Sequence, residues 1–301
     1  MEARARLSAA RPYLGMSAIG QECGRALWYS FRWAAKQSFG ADTLKRFEDG
    51  HASEDVQADR LRLVPGLTLL TIDPDTGRQW GCIDHGGHFR GHADGAVQGL
   101  LQAPKTWHVW EHKACDEKKL VELEKAKRDF GEKGALKAWN ATYYAQAVLY
   151  MHYLGLDRHY LTASSPGGRR TISVRTEADE PEALRLIERA RGIIESPRPL
   201  TRIGDATHRA CRWCSFAAAC HEGEGLETNC RTCLHATARI ESGDWHCARW
   251  NKALDEDTQR AGCPAHLFIP DLIAGEQIDA GEDWVEYRMP DGSTWRDGAR
   301  P

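Results

Sequence analysis

Asp94, followed by Glu111-His112-Lys113, is the set of side chains in this chain with the most definite chemistry. Asp94 stands in RGHADGAV, and Glu111 and Lys113 stand in TWHVWEHKA. Two carboxylates brought to one point repel unless a cation lies between them, and hard oxygen donors suit Mg2+ or Mn2+. Such an ion polarises a phosphoryl oxygen and lowers the pKa of a bound water. Lys113 would orient or deprotonate that water, or neutralise the charge that develops. The main-chain carbonyl of His112 is a natural further ligand. Residues two apart on a strand share a face, so Glu111 and Lys113 face together with His112 opposite. The WHVW run before Glu111 reads as a buried strand, where an unpaired Glu is costly.

Other residues can join this set. His51 and Glu54, in EDGHASED, offer an imidazole nitrogen or a further carboxylate from a helix. Gln146 and Tyr150 are four apart in YYAQAVLYMHYLG and fall on one helix face. A buried amide and phenol need partners. Near a metal site they would contact a substrate strand or hold Lys113.

Ten cysteines supply a second kind of chemistry. Cys23 stands alone near the N-terminus, and Cys211, Cys214 and Cys220 form a C-x2-C-x5-C run. A lone cysteine plus a tight triplet points to a cluster that joins two ends of one domain. Thiolates suit iron–sulfur clusters and zinc alike. The second group is Cys230-x2-Cys233 with Cys247 and Cys263, read as tetrahedral zinc, with His235, His246 and His266 as alternative ligands. Trp245, Arg249 and Trp250 beside it are stacking candidates for nucleic acid, or its small core. Cys82 and Cys115 are left over and read as core residues.

Charge and composition narrow the class. At 301 residues, 42% hydrophobic and 28% charged, the chain reads as a globular protein with a sizeable core. A net charge of −3 counts against coating a polyanion, yet leaves room for a local basic groove beside an acidic site. No apolar run reaches a membrane span. The arginine-rich start, MEARARLSAARPYLG, lacks an apolar stretch and reads as a frayed helical start rather than a secretory signal. Cysteines in that setting point to a reducing, cytoplasmic compartment.

These residues need elements to position them. Helices are expected at 17–37, with Ser17 as N-cap, and at 42–63. Strands are expected at Leu67–Asp73, Gln79–His85 with His88–Gln98, and Thr106–Ala114, with DPDTG as a hairpin turn. Helices follow at 116–130, Leu136–Tyr153 and Glu180–Glu195, and strands at Arg158–Ala163 and Arg170–Thr176. That order describes an α/β domain with a mixed central sheet flanked by helices over 1–224. A composition shift near residue 225 marks a small metal-bound module over 225–301.

Asp94…Glu111-x-Lys113 followed by Gln146-x-x-x-Tyr150 resembles the PD-(D/E)XK nuclease superfamily, whose core is restriction-endonuclease-like, in its RecB-like exonuclease branch. The lone Cys23 in GQECGRALWY with the C-terminal triplet is similar to CRISPR-associated RecB-like exonucleases and AddB-type helicase–nuclease subunits. The resemblance covers roughly residues 15–222. It implies His51, Asp94 and Glu111 as metal ligands, Lys113 as the catalytic lysine, and Gln146 and Tyr150 as its support. It implies a [4Fe-4S] cluster on Cys23, Cys211, Cys214 and Cys220. It further implies a Mg2+- or Mn2+-dependent exonuclease on single-stranded DNA or duplex ends, leaving a 5′-phosphate, in a bacterial or phage-infected cell. A recombination, replication or CRISPR-type protein would be its partner. An endonuclease of the same fold and a non-catalytic nucleic-acid adaptor are the alternatives. Ala93 stands where the superfamily motif names Pro. The appended cysteine module departs from the family pattern, and a standalone phage or mobile-element nuclease fits as well as a CRISPR role.

Overall fold

The computed structural model describes residues 10–37 and 40–298. The start of the arginine-rich segment, 1–9, lies outside the described residues. In chain order the elements are β1 (Leu14–Gly15), α1 (Gly24–Phe31), α2 (Ala41–Arg62), β2 (Thr68–Leu70), β3 (Gly81–Asp84), β4 (Phe89–His92), β5 (Gly95–Gln98) and β6 (His108–Ala114). Then come α3 (Glu117–Trp139), α4 (Ala141–Leu154), β7 (Arg158–Ser164), β8 (Thr171–Glu177), α5 (Glu180–Glu195) and α6 (Ala217–His221). The C-terminal part holds β9 (Ala236–Ala238), β10 (Trp245–Cys247), β11 (Lys252–Leu254), α7 (Glu256–Ala261), β12 (Glu276–Ala280), β13 (Trp284–Arg288) and β14 (Thr294–Gly298).

The main sheet has five strands in the order β2-β5-β6-β7-β8. Only β6 and β7 run parallel. A parallel pair needs a long crossover, and α3 with α4 supplies it. Alternation then sorts the two faces. Trp110 packs with Val97, Leu69 and the α2 residues Ala58 and Leu61. Val109, Leu161, Ala163 and Val174 face the other way, into the cluster that holds Leu120 and Leu123 of α3 and Val148 of α4. The mixed α/β layering expected from the sequence is present, and the DPDTG turn closes through Gly77 N to Asp73 O at 2.9 Å.

The first helix, expected over 17–37, differs at both ends and spans Gly24–Phe31. It begins after an extended Cys23, and not at Ser17. Gly20 explains this: a Cβ there would stand 2.6 Å from Thr142 Cα, so the loop is shaped by close approach to α4. The helix expected over 116–130 does end there: Gly131 is non-helical (φ 73°, ψ 169°), and a second helical stretch runs from it to Trp139. The helix expected from Leu136 starts instead after Asn140, whose side chain accepts from Thr142 N and Tyr143 N and caps α4.

The C-terminal residues do not stand apart. Trp245, Phe268, Ile269 and Leu272 share one buried cluster with Trp28 and Phe31 of α1. Arg231 Nη1 donates to Phe31 O at 2.8 Å, and Arg32 Nη1 donates to Arg231 O at 3.1 Å. Among the described residues no helix is long and apolar enough to cross a membrane.

Candidate active site

The register Gly95↔Trp110 sets Asp94 one step beyond the paired end of β5, beside Glu111 and His112. There Asp94 Oδ2 accepts from the backbone N–H of His112 at 2.8 Å. The N–H and C=O of one strand residue project to the same side, so the His112 carbonyl belongs to the Asp94 side as well. On the face opposite the His112 side chain, Lys113 Nζ donates to Glu111 Oε1. Gln146 Nε2 donates to the same oxygen at 2.8 Å and lies 3.3 Å from the Tyr150 hydroxyl, to which it also donates. Tyr150 fits because β4 carries Gly91: a Cβ there would stand 2.6 Å from Tyr150 Cε1. The structure therefore joins Asp94, Glu111, His112, Lys113, Gln146 and Tyr150 in one site.

Its charge balance is negative. The Glu111 side chain is 4% exposed and that of Lys113 is 20% exposed. Glu111 Oε2 is buried and has no hydrogen-bond partner. Burial, then the Asp94 charge, push the Glu111 carboxyl up to about 7 against the pull of Lys113. Burial and the neighbouring Glu54 push Asp94 up to about 6, again opposed by Lys113. Glu54 is itself raised, by burial and then by Glu111. Burial alone would lower the Lys113 ammonium, but Glu111 and Asp94 hold it up at about 12. Three carboxylates thus share one ammonium in a poorly solvated place.

His112 fixes the strand from behind. Its Nδ1 lies 2.9 Å from Thr162 Oγ1, and its Nε2 lies 3.0 Å from Ser53 Oγ and 3.1 Å from Ser164 Oγ. Burial and then Lys113 push its pKa down to about 4, so the ring is neutral. It ties β6 to β7 and α2 with uncharged bonds, and so steadies the amide that holds Asp94.

His51 is not part of this network. It is exposed, and Glu54 is the α2 residue whose charge acts on Asp94. The buried stripe of α2 runs through Gln57, Ala58 and Leu61, and Glu54 continues it one turn earlier. His51 lies a further turn toward the start of α2 and is exposed. Tyr143 was missed by sequence reading. Its ring lies 5.2 Å from Lys113 Nζ, and its position seven residues before Tyr150 was the available signal.

The fold also gathers the cysteines. Cys23 acts electrostatically on Cys211 and Cys214, as does Cys220, although Cys23 caps α1 far away in sequence. Cys230 and Cys233 feel Cys247 and Cys263 in the same way. Cys82 is core, its thiol pushed up to about 12 by burial, and Cys115 is partly buried and raised to about 11. Trp245 is buried against Phe31 with ring centroids 5.4 Å apart, whereas Trp250 is exposed.

Metal ions were expected at the carboxylates and at both cysteine groups. Among the described residues no group of three or more His, Cys, Asp or Glu side chains is gathered tightly enough to hold an ion as it stands. At the carboxylates, Lys113 takes one oxygen of Glu111 and the His112 amide takes one oxygen of Asp94. Burial and then neighbouring thiols raise the Cys211 and Cys230 thiols, and burial raises those of Cys214 and Cys233.

No family model and no curated protein matches the sequence. Several solved structures share part of the chain's path. The crystal structure of SSO0001 is 13% identical, with a TM-score of 0.44, and covers 73% of this chain and 91% of its own. The alkaline exonuclease LHK-Exo from Laribacter hongkongensis is 14% identical, with a TM-score of 0.41, covering 61% of this chain and 87% of its own. A phage-related exonuclease from Haemophilus somnus 129PT is 13% identical, with a TM-score of 0.40, covering 63% of this chain and 94% of its own.

Proposed function

We propose that the chain is a divalent-cation-dependent deoxyribonuclease of PD-(D/E)XK type, acting on single-stranded DNA or duplex ends. The observation that carries this reading is Glu111 Oε2, a buried carboxylate oxygen without a partner beside two further carboxylates. An unpartnered buried oxygen in a site with excess negative charge fits a hard cation. Asp94, Glu111 and the His112 carbonyl would hold Mg2+ or Mn2+, with Glu54 in the place expected of His51. The ion, when bound, supplies Lewis-acid polarisation of the scissile phosphate and a more acidic water.

The chain's own residues do the rest. Lys113, aligned by Glu111 Oε1 and backed by the Tyr143 ring, donates to a non-bridging phosphate oxygen as negative charge builds there. Gln146 holds Glu111 in place, and Tyr150 shields the pair from water behind it. His112 steadies the strand and takes no proton. Cys23 at the N-cap of α1 would join Cys211, Cys214 and, within α6, Cys220 as thiolate donors to a [4Fe-4S] cluster.

Digestion of end-labelled linear DNA with Mn2+ tests the reading, and circular DNA separates end-dependent from internal cleavage. Asp94→Ala and Lys113→Ala should each abolish cleavage while leaving the folded far-UV spectrum intact. Cleavage retained in both variants would mean that the chemistry lies elsewhere. Brown, iron-containing protein from anaerobic purification supports the cluster, and colourless, iron-free protein rejects it without touching the nuclease reading.

A further inference from the structure

Two buried arginines beside the second cysteine group have no carboxylate. Arg32 is 1% exposed and Arg231 is 2% exposed. Arg32 donates only to the carbonyls of Arg231, Ala236 and Ser196, and its Nε has no partner. Arg231 donates to Gln259 Oε1, Phe31 O and Pro12 O, and its guanidinium lies 3.6 Å from the Trp33 ring centroid. Every one of those acceptors is neutral. The acid closest in effect, Glu256, is already engaged by Arg260 at 2.6 Å. Two uncompensated charges in a core are strongly unfavourable, so the fold requires negative charge nearby.

The cysteines can supply it. Arg231 lies between Cys230 and Cys233 in a tight turn, with Cys233 N bonded to Cys230 O at 3.1 Å. Cys247 comes from β10 and Cys263 follows Gly262, which caps α7 at φ 65°. Together with His235 and His266 these four line a cavity of about 120 Å³. No carboxylate lines it, whereas Arg249 and Lys252 do. His266 is already bonded to Thr232 Oγ1 at 3.1 Å, and His235 Nε2 is buried without a partner, but a neutral imidazole brings no charge to offset the arginines, which favours the thiols as donors.

We propose that Cys230, Cys233, Cys247 and Cys263 close as four thiolates on one soft divalent cation of the zinc class. Four thiolates and one divalent ion leave two negative charges, equal to the two buried guanidiniums. Binding of the ion displaces the thiol protons, and soft sulfur donors select zinc over Mg2+ or Mn2+. The site is structural. It locks the turn that carries Arg231 against the C-terminal end of α1, opposite the end capped by Cys23. This inference is independent of the nuclease reading.

Full-length protein produced with zinc should be alkylated at its cysteines with and without a strong chelator, and the sites read by mass spectrometry. Cys230, Cys233, Cys247 and Cys263 should be protected together and released together as one equivalent of zinc leaves. Cys247→Ser and Cys263→Ser should each hold one equivalent less than wild type, while Cys115→Ser should not differ. If the four thiols react equally with and without zinc, or metal content is the same in wild type and both serine variants, the proposal is overturned.

Discussion

Gln146 Nε2 lies 2.8 Å from Glu111 Oε1, while the other oxygen of the same carboxylate is buried and unpartnered. Oε1 of Glu111 is thus held by α4 and Lys113, while Oε2 has no hydrogen bond. The amide aims the carboxylate. A hydrogen bond to a charged group contributes about 1.5–3 kcal/mol. Gln146→Ala should therefore lower kcat about 10- to 100-fold with a weaker apparent Mn2+ affinity and a folded spectrum. Steady-state cleavage over a Mn2+ series measures it.

The raised carboxyls predict a pH signature. Glu111 rises from 4.5 to about 7 and Asp94 from 3.8 to about 6, with burial the leading cause in both. Within that window the folded protein holds protons that the unfolded chain has released, so stability from these groups is present at low pH and lost as pH rises. Metal-free wild type should lose stability relative to Glu111→Gln between about pH 4.5 and 7, and Mn2+ should oppose the loss. Cleavage should climb over the same interval, since the cation needs ionised carboxylates. Thermal melts of both proteins across that range, with and without Mn2+, provide the check.

Trp139 and Tyr143 form a half-exposed aromatic pair at the mouth of the site, with centroids 5.5 Å apart and Lys113 over the Tyr143 ring. Asn140 fixes their corner by capping α4. A base next to the scissile phosphate would stack there, which contributes about 1–3 kcal/mol per base. Trp139→Ala should weaken binding of a single-stranded oligonucleotide roughly 10- to 100-fold in Ca2+, and should not alter binding of an abasic strand of equal length. Fluorescence anisotropy reads both.

Much of the site was legible because its spacing is local. Glu111 and Lys113 share a face by strand alternation, and Gln146 and Tyr150 share one by helical periodicity. The partnership of Asp94 with β6 depends on the register Gly95↔Trp110, which no local pattern encodes. The choice of Glu54 over His51 depends on how α2 rolls onto the sheet, and both lie near one helix face in sequence. Gly131 does interrupt the helix where the sequence suggested, while Asn140, rather than a start at Leu136, caps α4. The helix start at Gly24 was hidden for the same reason: Gly20 answers to α4, a distant neighbour. The two buried arginines were invisible, because nothing in the sequence distinguishes them from surface arginines.

The central claim is that Asp94 and Glu111 grip one divalent cation together. Calorimetric titration of Mn2+ into wild type, Asp94→Asn and Glu111→Gln addresses it without relying on turnover. One site should be found in wild type, weakened at least about tenfold in each variant, since each removes a charged ligand. Equal Mn2+ affinity in all three proteins would contradict the account.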